Sequence, residues 1–366
     1  MRVLVSGVVL DQGMGGVRRH NQELLPRLAE LLRADGGELA LLAPRGGLAF
    51  DPGPAVSVIE SSVPSSPPLL RGLVESKQLR TALHEAEQRG APFGVVHSAH
   101  LPSPRLSRSK SAPLRRTHTV HDLRALEPGS SSSLHRLLAR PALSQALVGA
   151  HRVFTVSEHV RSQLLEQFPL ELGRCVVIPN SGDHLEPLPR RPREGAPILH
   201  VGHVEPRKNL ELLVHALALA PDLPPLLLAG AAKGGEAERL LDFARERGVA
   251  DRIQLLGAVT DEQLLELYAE AACVAIPSLL EGFGIGVLEA QLAGVPLAVS
   301  SAGALPEVAG PKTPRFDPRC AEECVHALRA ALEFNSHELM AAREHALRFS
   351  WADSARRFYE ALVSES

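Results

Sequence analysis

Short aliphatic runs alternate with helical patterns along most of the chain, and they do so in two series. The first series of runs falls at 2–6, 39–43, 93–97, 116–120, 152–156 and 175–178. The second falls at 197–201, 225–229, 252–256, 273–276 and 296–300. Most are continuously apolar rather than alternating, which is the pattern of parallel strands covered on both faces. Helical spacing lies between them. Leu210, Leu213, Val214 and Leu217 follow i, i+3, i+4, i+7, and Thr260 with Gln263 has capping-box spacing ahead of Leu264, Leu265 and Tyr268. A repeated βαβ rhythm predicts an open, doubly wound α/β sheet, and two series predict two such sheets. Pro26 lies inside the helix expected over 17–32, where it removes a hydrogen bond, so that helix either starts late or bends.

The two series are separated by LEPLPRRPREGAP, residues 185–197, which is too rich in proline for a helix interior or central strand. It reads as a linker between two domains, drawn at 1–187 and 188–345, with a final helical segment over 346–366. A chain of 366 residues that is 45% hydrophobic has material for two cores. No apolar run approaches the ~20 residues of a membrane span. The opening MRVLVSGVV reads as a strand rather than a signal peptide, so the expected location is the cytoplasm. The charge is unevenly shared. Residues 1–187 hold 21 Lys+Arg against 17 Asp+Glu, a net of +4, and residues 188–366 hold 18 against 25, a net of −7. That split suits two domains with different partners. Aromatics at 4% are too few for a base-stacking platform, and nucleic acid is not an expected partner. Cys175, Cys273, Cys320 and Cys324 form no CxxC pair, so neither a zinc ribbon nor a disulfide framework is indicated.

Three segments carry chemistry. In the loop after the first strand, Gly13, Gly15 and Gly16 precede a helix, where backbone can approach a ligand and helix N–H groups point at it. A plain tight turn is the alternative. The spacing is not GxGxxG, which argues against a nicotinamide site. In VGHVEPRKNLELL, residues 201–213, Arg207 and Lys208 follow a strand and open a helix, a combination suited to a diphosphate. The alternative is a solvated basic corner. In PSLLEGFGIGVLEAQLAGVP, residues 277–296, Glu281 sits among glycines and Glu289 follows eight residues on. Carboxylates accept bonds from sugar hydroxyls, and glycine amides between them can meet phosphate oxygens. His121 follows a strand at a carboxyl end, where open α/β sheets bind ligands. The i, i+3 histidine pairs His97/His100 and His118/His121 invite a metal reading, but no HExxH accompanies them. No DxD tripeptide occurs either, so no metal or other cofactor is expected.

Together these motifs resemble the retaining GT-B glycosyltransferases of family 4, and in flavour their mannosyltransferase-like branch. The resemblance spans nearly the whole chain: the Gly-rich loop at 13–16, His121–Asp122, TVSEHVR at 155–161, VIPNSGD at 177–183, GHVEPRKN at 202–209, the EGFGIGVLE segment and GALPEVAG at 303–310. The ending RFSWADSARRFYEAL resembles the family's last helix, which returns to the N-terminal domain. Two departures stand out: Gly286 replaces a common proline, and PKTPRFDP follows Gly310.

The resemblance implies two Rossmann-like domains facing across a cleft, with the acceptor on the first and a nucleotide-sugar donor on the second. It implies that Arg207 and Lys208 hold the diphosphate and that Glu281 bonds hydroxyls of the transferred sugar. Phe283, Gly284 and Ile285 would meet sugar or phosphates through their backbone, and Glu289 the ribose. Gly15 and Gly16 would approach the donor, and His121 would stand at the reacting centre. The expected activity is metal-independent transfer of a hexose, mannose favoured, with retention of configuration. Alternatives are a nucleotide-sugar epimerase of the same fold and a non-catalytic sugar-nucleotide-binding protein. Arg105, Arg108, Lys110, Arg115 and Arg116 cluster around a Ser/Pro-rich loop and could face an acidic, lipid-linked acceptor or an anionic membrane surface.

Overall fold

The computed structural model describes the chain apart from residues 11–14, 65–67, 101–113, 127–132 and 365–366. It divides into two compact units, one of Met1–Asn180 with Trp351–Ser366 and one of Ser181–Ser350.

In the first unit, strands β1 (Arg2–Ser6), β2 (Glu38–Leu42), β3 (Val56–Ile59), β4 (Val95–Ser98), β5 (Arg115–Val120), β6 (Arg152–Thr155) and β7 (Cys175–Val177) form one parallel sheet. Its order is β3-β2-β1-β4-β5-β6-β7. The order reverses at β1, so the crevice at the carboxyl ends of β1 and β4 is the switch point of a doubly wound sheet. Helices α1 (Gly16–Ala34), α2 (Pro68–Gln88), α3 (Ser133–Val148) and α4 (Glu158–Gln167) make the crossovers. Helix α1 runs unbroken through Pro26. Its buried Leu24, Leu28 and Leu32 share a core with Ala355, Phe358 and Leu362. Those three repeat at i, i+3, i+7 on the last helix of the chain (Trp351–Val363), which therefore belongs to this unit.

In the second unit, β8 (Ile198–Val201), β9 (Leu226–Ala229), β10 (Ile253–Gly257), β11 (Cys273–Ile276), β12 (Leu297–Ser300) and β13 (Arg315–Phe316) form a second parallel sheet, in the order β10-β9-β8-β11-β12-β13. Its helices are α5 (Leu210–Leu219), α6 (Glu236–Glu246), α7 (Asp261–Glu270), α8 (Ile285–Leu292), α9 (Leu305–Ala309), α10 (Ala321–Leu332) and α11 (Ser336–Ala346), which makes the last helix, in the first unit, α12. The capping box read at Thr260 and Gln263 is present at the start of α7.

The proline-rich stretch 185–197 is not a free tether. The Arg190 guanidinium donates to the carbonyls of Tyr268, Ala269 and Ala271 at the end of α7. Those carbonyls have no partner within the helix, and a nearby cation satisfies them while countering the negative end of the dipole. The segment is thereby strapped to the second unit.

Candidate functional site

The second unit brings Arg207, Lys208 and Glu281 together beyond the carboxyl ends of β8 and β11. Arg207 and Lys208 do not open α5 itself. They sit in a short 3-10 turn, Pro206–Lys208, which ends at Asn209 in the left-handed region (φ 55°). Asn209 tolerates that backbone because its side-chain amide donates to the carbonyls of Pro277 and Pro318. The turn is further pinned by the Leu279 amide, which donates to the Arg207 carbonyl at 2.8 Å. The two basic residues are thus placed by the loop after β11 as much as by their own helix.

That loop carries Glu281. Lys208 Nζ donates to its Oε1 at 2.5 Å, Ser278 Oγ to the same oxygen at 2.8 Å, and Arg207 Nη1 to its Oε2 at 3.1 Å. Burial raises the Glu281 pKa, but the Lys208 and Arg207 charges and the hydrogen bonds from Lys208 and Ser278 outweigh it and hold it at about 2. The carboxylate is therefore ionised across the physiological range. Side-chain exposures of 13% for Lys208 and 11% for Glu281 mean that water and salt screen this pair little. Arg207 also faces Glu205 at 2.7 Å, and Glu205 in turn faces Lys233 at 2.8 Å. Glycine is required at 303, where φ is +61° and a Cβ would stand 2.4 Å from the Glu281 carbonyl oxygen. The Ala304 amide then donates to that oxygen.

Glu289 follows in α8, and it is buried rather than an exposed helix residue. Tyr268 OH donates to its Oε2 at 2.8 Å, and His184 Nε2 lies 3.2 Å from its Oε1. Burial and the adjacent carboxylate push the Tyr268 hydroxyl well above its usual pKa, so it stays a donor. Gly182 lies against the first turns of α8, where a Cβ would meet the Glu289 amide nitrogen at 2.7 Å. Between the two glutamates, Phe283 is buried with its ring edge-on to Phe349, and Gly284 caps α8 with φ +100°. Ile285 opens α8 and is partly exposed. A Cβ at Gly286 would make only ordinary contacts, so neither crowding nor a left-handed backbone requires glycine there. The structure thus brings Lys208 and Arg207 into contact with Glu281, and places Phe283 and Gly284 just before α8 and Ile285 and Glu289 on it. Ser278, Tyr268 and His184 take part without having been read from the sequence.

The remaining predicted residues lie in the first unit. Gly15 precedes α1 in extended backbone, and a Cβ added at Gly16 would meet nothing within 4 Å. Neither crowding nor a left-handed conformation requires glycine at 16. Gly13 lies outside the described residues. His121 follows β5 and is half-buried, with its ring edge-on to His20 at 4.8 Å. Burial, then His20 and His97, lower its pKa well below the ordinary value, so it is neutral. His20 is buried, lies 2.6 Å from the Asn180 side-chain oxygen, and has its pKa lowered by burial to about 4. His97 is satisfied by the hydroxyls of Thr117 and Thr119. Among the described residues, no three His, Cys, Asp or Glu side chains come together as metal ligands.

Of the basic cluster, Arg105, Arg108 and Lys110 lie outside the described residues. Arg115 and Arg116 belong to β5 and donate to backbone carbonyls, Arg115 to Leu362 and Ser364, Arg116 to Gly149. Among the described residues, no helix is long and apolar enough to cross a membrane.

Comparison with known proteins follows the same division. The family model described as Glycosyltransferase Family 4 matches residues 14–184, and that described as Glycosyl transferases group 1 matches residues 189–346. The chain is 34% identical over 232 residues to O-antigen chain mannosyltransferase B of Escherichia coli, covering 57% of this chain and 60% of that protein. It is 28% identical over 290 residues to D-inositol 3-phosphate glycosyltransferase of Mycolicibacterium smegmatis, covering 73% and 66%. In both, the match takes in less than two thirds of the relative's length. Sucrose-phosphate synthase from Thermosynechococcus elongatus shares the fold, with a TM-score of 0.77 at 19% identity over 98% of this chain and 97% of that one.

Proposed function

The chain belongs to glycosyltransferase family 4, of the GT-B fold, and on that premise we propose that it moves a hexose from a nucleoside-diphosphate sugar to a hydroxyl acceptor. The observation that carries the proposal is the contact of Lys208 and Arg207 with Glu281 beyond the carboxyl ends of β8 and β11. Two cations there suit a diphosphate, and a carboxylate that stays ionised suits the hydroxyls of the attached sugar. Glu289, oriented by Tyr268 and His184, is well placed in chemistry to accept bonds from a ribose. The mannosyltransferase among the relatives favours mannose as the sugar.

The proposed transfer retains the anomeric configuration and needs no metal. The bond from the anomeric carbon to the leaving phosphate oxygen breaks, and one to the acceptor oxygen forms on the same face. The acceptor's proton passes to the departing phosphate. Lys208 and Arg207 stabilise the charge that grows on that phosphate, and this is the protein's main contribution. The neutral imidazole of His121 is proposed to stand near the transferred sugar.

Thermal-shift screening against GDP-, UDP- and ADP-sugars tests the donor, since bound ligand raises apparent stability as ln(1 + [L]/Kd). One nucleotide class is expected to stabilise the protein. Incubation with that donor and a panel of glycan and polyol acceptors, in EDTA, is expected to yield a product of retained configuration by NMR. Isomerisation of the donor without acceptor would favour the epimerase reading instead. A lipid-linked, acidic acceptor at the cytoplasmic face of a membrane is the accompanying proposal. It predicts co-sedimentation with anionic liposomes at low salt, and no binding would remove it.

A further inference from the structure

Lys233 is a third cation beside the two that the donor reading uses. It lies in the loop after β9, shortly before α6. Backbone bonds zip that loop to the one after β8. The Val204 amide donates to the Ala231 carbonyl at 3.1 Å, and the Lys233 amide donates to the Val204 carbonyl at 3.0 Å. Glycine is required at 230, where φ is +155° and a Cβ would collide with the Gly202 carbonyl oxygen. Lys233 is thereby fixed beside Glu205, the residue after Val204 in the neighbouring loop.

Lys233 Nζ donates to Glu205 Oε2 at 2.8 Å, and Arg207 Nη2 stands 2.7 Å from Glu205 Oε1. Five charged groups therefore follow one another with alternating sign: Lys208, Glu281, Arg207, Glu205, Lys233. Burial raises the Glu205 pKa, but the hydrogen bond from Lys233 and the charges of Arg207, Lys233 and Lys208 outweigh it and hold it below the ordinary value. Glu205 is thus ionised at neutral pH. An ion pair with both ends in water, such as Arg329 with Asp222 at 45% and 60% exposure, is worth little. Glu205 stands in a different place. Its side chain is 10% exposed, so its charge reaches Arg207 with little screening, and Lys233 at 51% is the end of the pair that water meets.

We infer that Lys233 is a positioning residue of the donor site that acts through Glu205: it cancels the charge of the carboxylate that holds Arg207, and so preserves the positive field that a diphosphate needs. The inference rests on the donor reading of Arg207 and Lys208. A guanidinium is planar, and Glu205 and Glu281 face different nitrogens of it, Nη2 and Nη1, which fixes its plane. That hold has an electrostatic cost. Two carboxylates against Arg207 and Lys208 leave no net charge for an anionic ligand. Lys233 makes it three cations against two carboxylates, a sum of +1. A charge acts at a distance, so Lys233 has this effect without touching the ligand.

A double-mutant cycle tests it. Dissociation constants for GDP, with UDP in parallel, are measured by calorimetry at low salt on wild type, Lys233→Met, Glu205→Gln and the double variant, each checked for folding by circular dichroism. Lys233→Met is expected to weaken diphosphate binding roughly fivefold where Glu205 is present, and to change it little in the Glu205→Gln background. The loss should shrink in high salt. Lys233→Arg, which keeps the charge, is expected to bind as wild type does. Equal losses in both backgrounds, or no loss in either, would overturn the inference alone: the first would make Lys233 a direct contact or a structural residue, the second a bystander. Wild type that binds GDP no tighter than GMP, and UDP no tighter than UMP, would strike the donor reading itself, and the inference with it. If Glu205→Gln does not fold, Lys233→Arg decides: wild-type affinity supports the inference, and a loss as large as that of Lys233→Met overturns it.

Discussion

The carboxyl ends of the two parallel sheets are furnished in opposite ways. In the first unit, His20, His97, His118 and His121 lie in or beside the strand ends and inner helix, and burial lowers the pKa of each. In the second, Lys208, Arg207 and Glu281 are also poorly exposed, yet Glu281 keeps its charge because two cations and a hydroxyl face it. Desolvation acts on both units. Its outcome is decided by whether an opposite charge is within reach, so these four histidines stay neutral while Glu281 stays ionised in a paired site.

Acid should separate the two most strongly. The four histidines have folded pKa values below the unfolded value near 6.5, with His20 at about 4 and His118 at about 3. Their neutral state favours folding fully above pH 6.5, and that advantage is lost as pH falls towards the folded values. At pH 5 the loss is about 2 kcal/mol for each such histidine. In the second unit only His200 is comparably buried and lowered. Glu281 has the opposite protonation logic: its contribution is intact above about pH 4.5 and is lost only as pH falls towards 2. Hydrogen exchange followed by mass spectrometry between pH 7 and 5 should show the first unit losing protection before the second. Parallel loss in both would break the comparison.

The next largest effect is expected at Lys208. Lys208→Ala should lower kcat by roughly 100- to 1000-fold, the range for removing one donor from a developing oxyanion, while the first unit's unfolding stays unchanged. Wild-type turnover would take Lys208 out of the chemistry. Glu289→Ala should then weaken donor binding and cost the second unit about 1–3 kcal/mol in urea unfolding, because the buried Tyr268 hydroxyl loses its acceptor. The paired loss of affinity and stability distinguishes this residue from a merely exposed helix glutamate. Smallest of all, Thr260→Ala should remove the capping box of α7 and cost about 1 kcal/mol, with donor affinity untouched.

Much of the fold was legible because buried parallel strands are continuous apolar runs. The expected run at 2–6 is β1 and that at 273–276 is β11. The strands that escaped, β3 and β13, lie at sheet edges. VSVI has two exposed residues and RF is only two residues long, so neither makes such a run. Arg207, Lys208, Glu281 and Glu289 were legible from their spacing within motifs. Their partners were not. Tyr268 and His184 reach Glu289 from other elements. The prolines of 185–197 exclude a helix interior there, but nothing in their spacing shows that Arg190 finds the orphan carbonyls of α7.

The central claim is that Arg207 and Lys208 exist to hold the second phosphate of a nucleotide donor. Its most direct test is the ratio of affinities for a nucleoside diphosphate and the matching monophosphate, GDP against GMP and UDP against UMP, in wild type and in Lys208→Ala. The account predicts that wild type prefers the diphosphate by at least roughly tenfold for the base it accepts, and that Lys208→Ala abolishes most of that preference. A preference that survives the substitution, or wild type that binds the two equally, would contradict it.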